Sequence, residues 1–367
     1  MNIPFLDLSE EFNSLHEEWF NAIKEVGANG RYILGPNVQA FEEECAAYVG
    51  TDYAVSVANG TDALTLSLRA LNIGAGDEVI TSPFTFFASS ECIDLVGATP
   101  VFADIDEQSF NITADSIEAV ITDKTKAIIV VHIFGQPADM TAINALAAKH
   151  NLEVLEDAAQ AFGAQVGDQR VGSLGSTGCF SFYPTKVLGC YGDGGIITTN
   201  SKDVLDRLHR LRNHGAIKPF VHAEVGYNSR LDEIQAAILR LKLKKIDADI
   251  AARNRIAAAY SEQLKDSGII TPYAPPGFGH AFNLYTIRLT ENRDAVRQIL
   301  TDNGIPSSQC YPEPLSVQPV YQSLGYKKED VPVCEMLTHQ TLSLPVYPAM
   351  TDEMVEHITS TLIKAVS

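Results

Sequence analysis

Short apolar runs alternate with helix-like stretches along the first two thirds of the chain. Apolar runs of four to seven residues predict strands, and apolar residues spaced by three or four predict helices. The predicted strands are 53–57, 78–81, 99–102, 127–133 and 152–155, and the predicted helices are 62–71, 84–95 and 140–150. This rhythm of strand then helix is typical of a mostly parallel sheet with helices on both faces.

The pattern changes after Gly172. Two further strands, 178–182 and 195–199, flank a glycine-rich turn, and a long Ala-rich, charged helical stretch follows over 231–264. The remaining sequence has more prolines and mixes a strand at 282–289 with a helix at 293–303. We therefore expect a large α/β domain over residues 1–250 and a smaller C-terminal α+β domain over residues 251–367.

Composition and charge exclude several classes of function. The 367 residues include 27 Lys and Arg against 46 Asp and Glu, a formal net charge of −19. Such a chain lacks the basic face that nucleic acids or anionic membranes require. Six scattered cysteines, without a C-x-x-C pair, and a first segment without signal-peptide character predict free thiols in the cytoplasm. The dispersed histidines predict no metal site.

The first candidate site residues lie between a predicted strand and a predicted helix. Gly60 permits a tight turn and Thr61 is a good N-cap, so the first amides of the helix would face an anion such as a phosphate. The alternative interpretation, which this motif taken alone favours, is a plain capped helix after a turn between strand and helix.

The second candidate is an acid pair, Glu156-Asp157, at the end of a predicted apolar strand. Ligands bind at the carboxyl ends of strands in α/β sheets, and a carboxylate there can hold a protonated ring nitrogen. The alternative interpretation is that Asp157 caps the next helix.

The third candidate is Lys186, which closes the segment Ser181-Phe-Tyr-Pro-Thr-Lys186. No other charged residue lies between Arg170 and Asp193, so an apolar surrounding is expected. Burial lowers the pKa of a lysine and frees its amine as a nucleophile. The alternative is a lysine on a surface loop.

Together, a phosphate cradle, a carboxylate for a ring nitrogen and a nucleophilic lysine indicate a pyridoxal phosphate site. The chain closely resembles the DegT/DnrJ/EryC1/StrS family of sugar aminotransferases over nearly its whole length. The motifs that carry this resemblance are Asn59-Gly-Thr-Asp-Ala-Leu, Ser82-Pro-Phe-Thr-Phe86, Glu156-Asp-Ala-Ala-Gln160, Ser181 to Lys186, Gly189-Cys-Tyr-Gly-Asp-Gly-Gly195 and Asn228-Ser-Arg-Leu-Asp232. The resemblance implies the aspartate-aminotransferase architecture, fold type I.

The resemblance also implies roles for individual residues. Lys186 would bind the cofactor covalently and carry a proton between the substrate carbon and C4′, while Asp157 would keep the pyridine nitrogen protonated. Further implied cofactor contacts are Gln160 at the ring hydroxyl, Phe86 on the ring face with Phe87 as the competing choice, Gly60, Thr61, Ser181 and the amide of Asp62 at the phosphate, and Asn228 at the phosphate in a neighbouring subunit. A homodimer is therefore the implied minimal active unit.

The resemblance bears on the substrate side as well. Arg230 is a candidate contact for an acidic group, or alternatively part of a salt bridge between subunits. Cys310 stands where members of the family commonly have a histidine before Tyr311-Pro. Because that position is associated with the sugar, Cys310 and Tyr311 are assigned to the substrate side of the pocket.

The implied activity is transfer of an amino group from L-glutamate to a keto-sugar nucleotide in a ping-pong cycle. The pattern is most similar to enzymes that aminate C3 of UDP-2-acetamido-3-oxo-glucuronate. Alternatives are a 3-keto- or 4-keto-6-deoxy sugar on dTDP, a non-catalytic regulatory protein that binds pyridoxal phosphate, or a scaffolding protein. Members of the family that dehydrate sugars have histidine in place of the lysine, so Lys186 favours transamination.

Overall fold

The computed structural model describes residues 1–367 and contains twelve α-helices. They are α1 (Leu8–Asn29), α2 (Pro36–Val49), α3 (Gly60–Ala70), α4 (Ala88–Leu95), α5 (Ala114–Glu118), α6 (Met140–His150), α7 (Lys202–Leu211), α8 (Glu233–Leu243), α9 (Ile246–Leu264), α10 (Arg293–Asp302), α11 (Pro332–Gln340) and α12 (Asp352–Val366). Short 3₁₀ segments lie at Ile133–Gly135, Leu315–Val317, Pro319–Leu324 and Lys328–Asp330. No helix combines the length and the apolar character that a membrane crossing requires.

Fourteen strands complete the fold. They are β1 (Tyr53–Val57), β2 (Glu78–Thr81), β3 (Thr99–Phe102), β4 (Thr125–Val131), β5 (Glu153–Asp157), β6 (Gln165–Val166), β7 (Gln169–Arg170), β8 (Thr177–Ser181), β9 (Gly195–Thr199), β10 (Ala216–Lys218), β11 (Val221–His222), β12 (Phe278–Gly279), β13 (Tyr285–Arg288) and β14 (Thr341–Leu344).

The central sheet has seven strands in the order β1-β9-β8-β5-β4-β2-β3. Strand β9 pairs antiparallel with both of its neighbours, and every other pairing in the sheet is parallel. Val131 lies opposite Asp157, and Asp157 lies opposite Cys179. The carboxyl ends of β4, β5 and β8 therefore meet at one edge, where α/β sheets bind ligands.

The sheet forms because its strands are apolar on both faces and helices cover both. All residues of β4 except Lys126 are buried, which is typical of a central parallel strand. One face packs against α3 and α7, whose Leu66 and Leu208 are fully buried. The predicted α/β class with a mostly parallel sheet is thus what the chain folds into.

A second core lies in the C-terminal part of the chain. The antiparallel pair β13–β14 packs with α9, α10 and α12, and Ile3 from the other end of the chain joins this core. The helical stretch expected over 231–264 is two helices, α8 and α9, which break at Lys244–Lys245. Ile246 packs into the core between the central sheet and α2 and α8, and Ile256 packs into the C-terminal core, so α9 contributes to both. A division at residue 250 falls inside α9 and stays a prediction.

One helix begins later than the pattern predicts. The stretch 84–95 becomes helical only at Ala88, because the amide of Phe84 donates to Ser82 Oγ (3.1 Å) and the carbonyl of Pro83 accepts from the amide of Leu315 (2.9 Å). Residues 82–87 therefore form a turn at the ligand edge of the sheet, which brings Phe86 to the surface there.

Candidate active site

A cleft of about 780 Å³ opens at the carboxyl ends of the parallel strands. The beginning of α3, the turn before α4, the end of β5 and the segment after β8 all contribute to it. The three groups of residues singled out in the sequence line this one cleft: Gly60, Thr61 and Asp62, Asp157 and Gln160, and Ser181 and Lys186. Segments 126 positions apart in the sequence, from Gly60 to Lys186, thus form a single site.

The start of α3 forms an anion cradle. Asn59 caps the helix, because its side chain accepts the amide of Asp62 (2.8 Å) and its carbonyl accepts the amide of Ala63 (3.1 Å). A helix leaves its first amides without partners inside the helix, so those of Gly60 and Thr61 remain for an anion. Ser181 Oγ accepts the amide of Tyr183 (3.3 Å), which leaves its own proton to donate.

Gly60 is required by the close packing of this cradle. A Cβ at Gly60 would lie 2.7 Å from the Cβ of Ser181, closer than two carbon atoms can approach. Any side chain there would push α3 away from β8. The absence of a side chain therefore holds the two halves of the cradle together.

The expectation for Asp62 is less well matched by the structure. Its amide, expected at the phosphate, already donates to Asn59, and its carboxylate accepts from Ser229 Oγ (2.5 Å). Ser229 Oγ in turn accepts the amide of Ala58 (3.1 Å). Asp62 thus ties the start of α3 to the segment near residue 229, and the contact of its amide with a phosphate would compete with the helix cap.

Only one member of the predicted acid pair faces the cleft. Asp157 ends β5 and is 6% exposed. Ser89 Oγ donates to its Oδ2 (2.6 Å), the amide of Ala159 donates to its Oδ1 (3.2 Å), and Thr85 Oγ1 lies 3.0 Å from Ser89 Oγ. These contacts fix the orientation of the carboxylate. Because the carboxylate also borders the cleft, it can still accept a hydrogen bond from a protonated nitrogen there.

Glu156 points to the opposite side and has a structural role. Its carboxylate accepts the amides of Gly172, Leu174 and Gly175, each at 2.7 Å, and lies 3.0 Å from Nε2 of the buried His132. Because Nδ1 of His132 accepts the amide of Ala138 (3.1 Å), Nε2 carries the ring proton and donates it to Glu156. This network fixes the loop after β7.

Lys186 enters the cleft from the turn that follows β8. Its amide donates to the carbonyl of Tyr183 (2.9 Å), while its amine forms no hydrogen bond and no ion pair. Burial lowers the pKa of Lys186, and the weaker attraction of Asp157, followed by that of Cys310, only partly opposes this. An unpartnered amine with a lowered pKa is the form of lysine that acts as a nucleophile.

The ring contacts expected of Gln160 and Phe86 are compatible with their positions. Gln160 borders the cleft, and its amide is held at both ends by the amide of Phe134 (2.8 Å) and the hydroxyl of Tyr311 (2.7 Å). Phe86 is 64% exposed and lines the cleft, whereas Phe87 packs against Tyr321 at 5.9 Å between ring centres. The structure therefore favours Phe86 over Phe87.

Four expected site residues are not among those that line the cleft in their own chain. Asn228 is exposed and forms a β-bridge with Asn213, whose side chain also accepts a hydrogen bond from Arg230 (3.1 Å). Arg230 pairs with no carboxylate in its chain. Cys310 Sγ lies 3.7 Å from the hydroxyls of Ser308 and Ser343, and the hydroxyl of Tyr311 accepts a hydrogen bond from Gln160 (2.7 Å).

Sequence reasoning missed Ser89, Thr85 and the pairing of His132 with Glu156. Thr85 and Ser89 are four residues apart in an apolar stretch, a spacing that places two side chains on one side of a helical turn. That spacing is the only signal in the sequence for the residues that hold Asp157. Nothing near His132 or Glu156 indicates that these two residues pair.

Comparison with known proteins agrees with this geometry. The chain matches the DegT/DnrJ/EryC1/StrS aminotransferase family over residues 13–363. A protein of Acidithiobacillus ferrooxidans named UDP-N-acetyl-3-dehydro-alpha-D-glucosamine 3-aminotransferase is 45% identical, covering 98% of this chain and 97% of its own. A protein of Geobacillus stearothermophilus named pleiotropic regulatory protein is 44% identical, with coverage of 98% and 97%.

A solved structure agrees over the whole fold. The crystal structure of DesV from S. venezuelae superposes with a TM-score of 0.97 at 40% identity, covering 100% of this chain and 99% of DesV. The match therefore includes both cores and the cleft at the carboxyl ends of the parallel strands. The chain belongs to the DegT/DnrJ/EryC1/StrS aminotransferase family.

Proposed function

We propose that the protein is a pyridoxal phosphate-dependent aminotransferase that acts on a sugar nucleotide. The observation that carries the proposal is the convergence of an anion cradle, a fixed carboxylate and an unpartnered lysine on one cleft. Each of these groups matches one part of the cofactor: its phosphate, its ring nitrogen and its aldehyde.

The residues present fit the cofactor. The amides of Gly60 and Thr61 with the hydroxyl of Ser181 would hold the phosphate. Gly60 and Ser181 are so close that a Cβ at Gly60 would collide with Ser181, and this close packing brings the donors together. Asp157, held by Ser89, would keep the ring nitrogen protonated. Gln160 would face the ring hydroxyl and Phe86 the ring face.

The chemistry is divided between cofactor and protein. When bound, the cofactor ring withdraws electrons from the carbon that loses or gains the amino group. Lys186 would hold the cofactor covalently and, once the substrate amine displaces it, carry a proton between the substrate carbon and C4′. Its lowered pKa increases the fraction of uncharged amine, which is the form needed for both tasks.

The proposed substrates are L-glutamate as amino donor and a UDP-linked 3-oxo-N-acetyl sugar, such as UDP-2-acetamido-3-oxo-glucuronate, as acceptor. The 45% identical relative, whose name specifies a UDP-linked N-acetyl sugar and position 3, supports this class. A sugar acid would give Arg230 a carboxylate to bind, which its own chain does not supply. A dTDP-linked 3-keto- or 4-keto-6-deoxy sugar is the alternative acceptor.

The proposed active unit is a homodimer in the cytoplasm. Asn228 is exposed and outside its own cleft, as a residue that serves a neighbouring subunit would be. Nearby, Phe220 is 98% and Val225 81% exposed, and apolar side chains of this kind favour burial against another chain. Six free cysteines fit a reducing compartment.

Absorbance spectroscopy tests the activity and the substrate together. The enzyme loaded with pyridoxal phosphate is titrated separately with L-glutamate and with UDP- and dTDP-linked amino sugars. Glutamate in the forward half-reaction, and an amino sugar that fits in the reverse one, convert the cofactor to its amino form and bleach the visible band. We expect bleaching by glutamate and by a UDP-linked 3-amino-N-acetyl sugar. Comparing the uronic acid with the neutral sugar, in wild type and in Arg230→Met, tests the role of Arg230.

A non-catalytic regulatory role is the second candidate, and the name of the 44% identical relative favours it. A regulatory protein would bind the cofactor without converting it to the amino form. Binding of pyridoxal phosphate without bleaching by any donor would therefore support that role and contradict the proposed activity.

A further inference from the structure

The side-chain amide of Gln160 has a fixed orientation. Its Oε1 accepts the backbone amide of Phe134 at 2.8 Å, and its Nε2 lies 2.7 Å from the hydroxyl of Tyr311. A backbone amide only donates, so the oxygen of Gln160 must face Phe134 and the nitrogen must face Tyr311. One N–H of Gln160 is therefore donated to the Tyr311 oxygen, and the second N–H remains for the cleft that Gln160 lines.

The donor on Phe134 is itself immobile. Phe134 has φ +57°, and the following Gly135 has φ +97°. A Cβ at Gly135 would lie 2.9 Å from the amide nitrogen of Phe282, so the turn is packed directly against the C-terminal segment. The amide of Ala281 also donates to the carbonyl of Gly135 (3.0 Å). The turn therefore offers Gln160 one donor in one direction.

Tyr311 reaches Gln160 from 151 residues further along the chain. Its ring packs edge-on against Phe84 (5.5 Å) and stacks with Phe134 (6.0 Å, 18° between planes). Burial raises the pKa of its hydroxyl well above the usual range, so the hydroxyl stays protonated and neutral. The Tyr311 hydroxyl forms no hydrogen bond other than the one with Gln160.

We infer that Tyr311 is a positioning residue: by accepting one N–H of Gln160 it holds the other N–H toward the cofactor's ring oxygen, instead of contacting the sugar. The inference rests on the proposed function, because it concerns the bound cofactor. It also reassigns Tyr311 from the substrate side of the pocket to the cofactor side. The C-terminal part of the chain thereby contributes to the electronic state of the cofactor.

An N–H donated to the ring oxygen draws electron density from that oxygen. The oxygen then stabilises less well the protonated nitrogen through which Lys186 would hold the cofactor. In Tyr311→Phe, the nitrogen of Gln160 loses its hydrogen-bond partner. We therefore expect the pKa at which the visible band of the loaded enzyme titrates to rise by about half a pH unit, the size of a weakened hydrogen bond. The titration is made without substrates. We also expect both half-reactions to slow by the same factor, about threefold, with little change in KM for the sugar nucleotide.

Matched controls separate this role from loss of packing. Tyr285→Phe removes a hydroxyl that lies 2.8 Å from Ser261 Oγ in the C-terminal core, away from the cleft, and should leave the band unchanged. In a double-mutant cycle, Tyr311→Phe should add no further shift to Gln160→Ala, because it acts through Gln160. Thermal unfolding of each variant confirms that the fold is retained.

Two results would overturn the inference. One is an unchanged band in Tyr311→Phe together with a raised KM for the sugar nucleotide, which would return Tyr311 to the substrate side. The other is additive shifts in the double variant, which would show that Tyr311 and Gln160 act separately. Failure of the wild-type chain to bind pyridoxal phosphate is a different result, since it would contradict the proposed function itself.

Discussion

The packing of Gly60 against Ser181 gives a sharp test of the anion cradle. Gly60 lies in the first turn of α3 with a backbone conformation that alanine can adopt, and alanine is favoured over glycine in helices by about 1 kcal/mol. Gly60→Ala should nevertheless damage the site, because the new Cβ would lie 2.7 Å from the Cβ of Ser181. The start of α3 must move, and overpacking of this kind costs about 1–3 kcal/mol.

The size of the effect on cofactor affinity follows from the bonds to the phosphate. A hydrogen bond to a charged group contributes about 1.5–3 kcal/mol. Loss of one such bond through displacement of the Gly60 or Thr61 amide therefore lowers the affinity for pyridoxal phosphate by about 10- to 150-fold. Affinity for pyridoxal, which lacks the phosphate, should change much less.

The assay is equilibrium titration of the cofactor-free protein with pyridoxal phosphate and with pyridoxal, followed by absorbance. Gly74→Ala is a matched control, because the nearest atom to its Cβ would be 3.5 Å away. Adding Ser181→Gly to Gly60→Ala removes the collision and should restore stability, although the hydroxyl of Ser181 is lost. Wild-type affinity for pyridoxal phosphate in Gly60→Ala would refute the assignment of the phosphate to α3.

Further predictions concern the lysine and the acid pair. Lys186→Met should abolish transamination yet raise the melting temperature of the cofactor-free protein by about 1–3 °C, because it removes an unpartnered buried amine. Since the pKa of Lys186 is lower in the folded state than its ordinary value, this gap in melting temperature should be constant below the lowered pKa and shrink as the pH rises from the lowered pKa towards the ordinary one, which thermal scans at several pH values can test. Glu156→Gln should lower the free energy of unfolding by about 2–4 kcal/mol in urea titrations, because buried amides and His132 lose a charged acceptor. Asp157→Asn should instead leave urea stability within about 1 kcal/mol of wild type and remove most activity; equal effects of the two substitutions would contradict their separate roles.

The elements of the sheet were predictable because they depend on local patterns. Strands 53–57, 78–81 and 99–102 and the helix 140–150 have the predicted bounds. The break between α8 and α9 was not predictable, since residues 231–264 contain no glycine or proline. It occurs where Lys242 is tied to Glu11 (2.7 Å) and to the carbonyl of Gly189, contacts that exist only in the folded chain.

The same distinction applies to the site. Lys186, Asp157 and the start of α3 could be found from the sequence, because each follows a predicted strand and the ends of parallel strands share one edge. The sequence could not show that Asp157 and not Glu156 faces the cleft, since a strand shift of one residue reverses the two. Nor could it show that the amide of Asp62 is used in the helix cap, or that Tyr311 anchors Gln160 across 151 residues.

Lys186 is proposed to hold the cofactor covalently and to release it when the cofactor takes the amino group of L-glutamate. The most direct measurement is reduction of the loaded enzyme with sodium borohydride, followed by mass analysis of its peptides, with and without prior addition of L-glutamate. We expect a pyridoxyl group on the peptide that contains Lys186, and loss of that label after glutamate has converted the cofactor to its amino form. Label on another lysine, or label on Lys186 that glutamate does not remove, would contradict it.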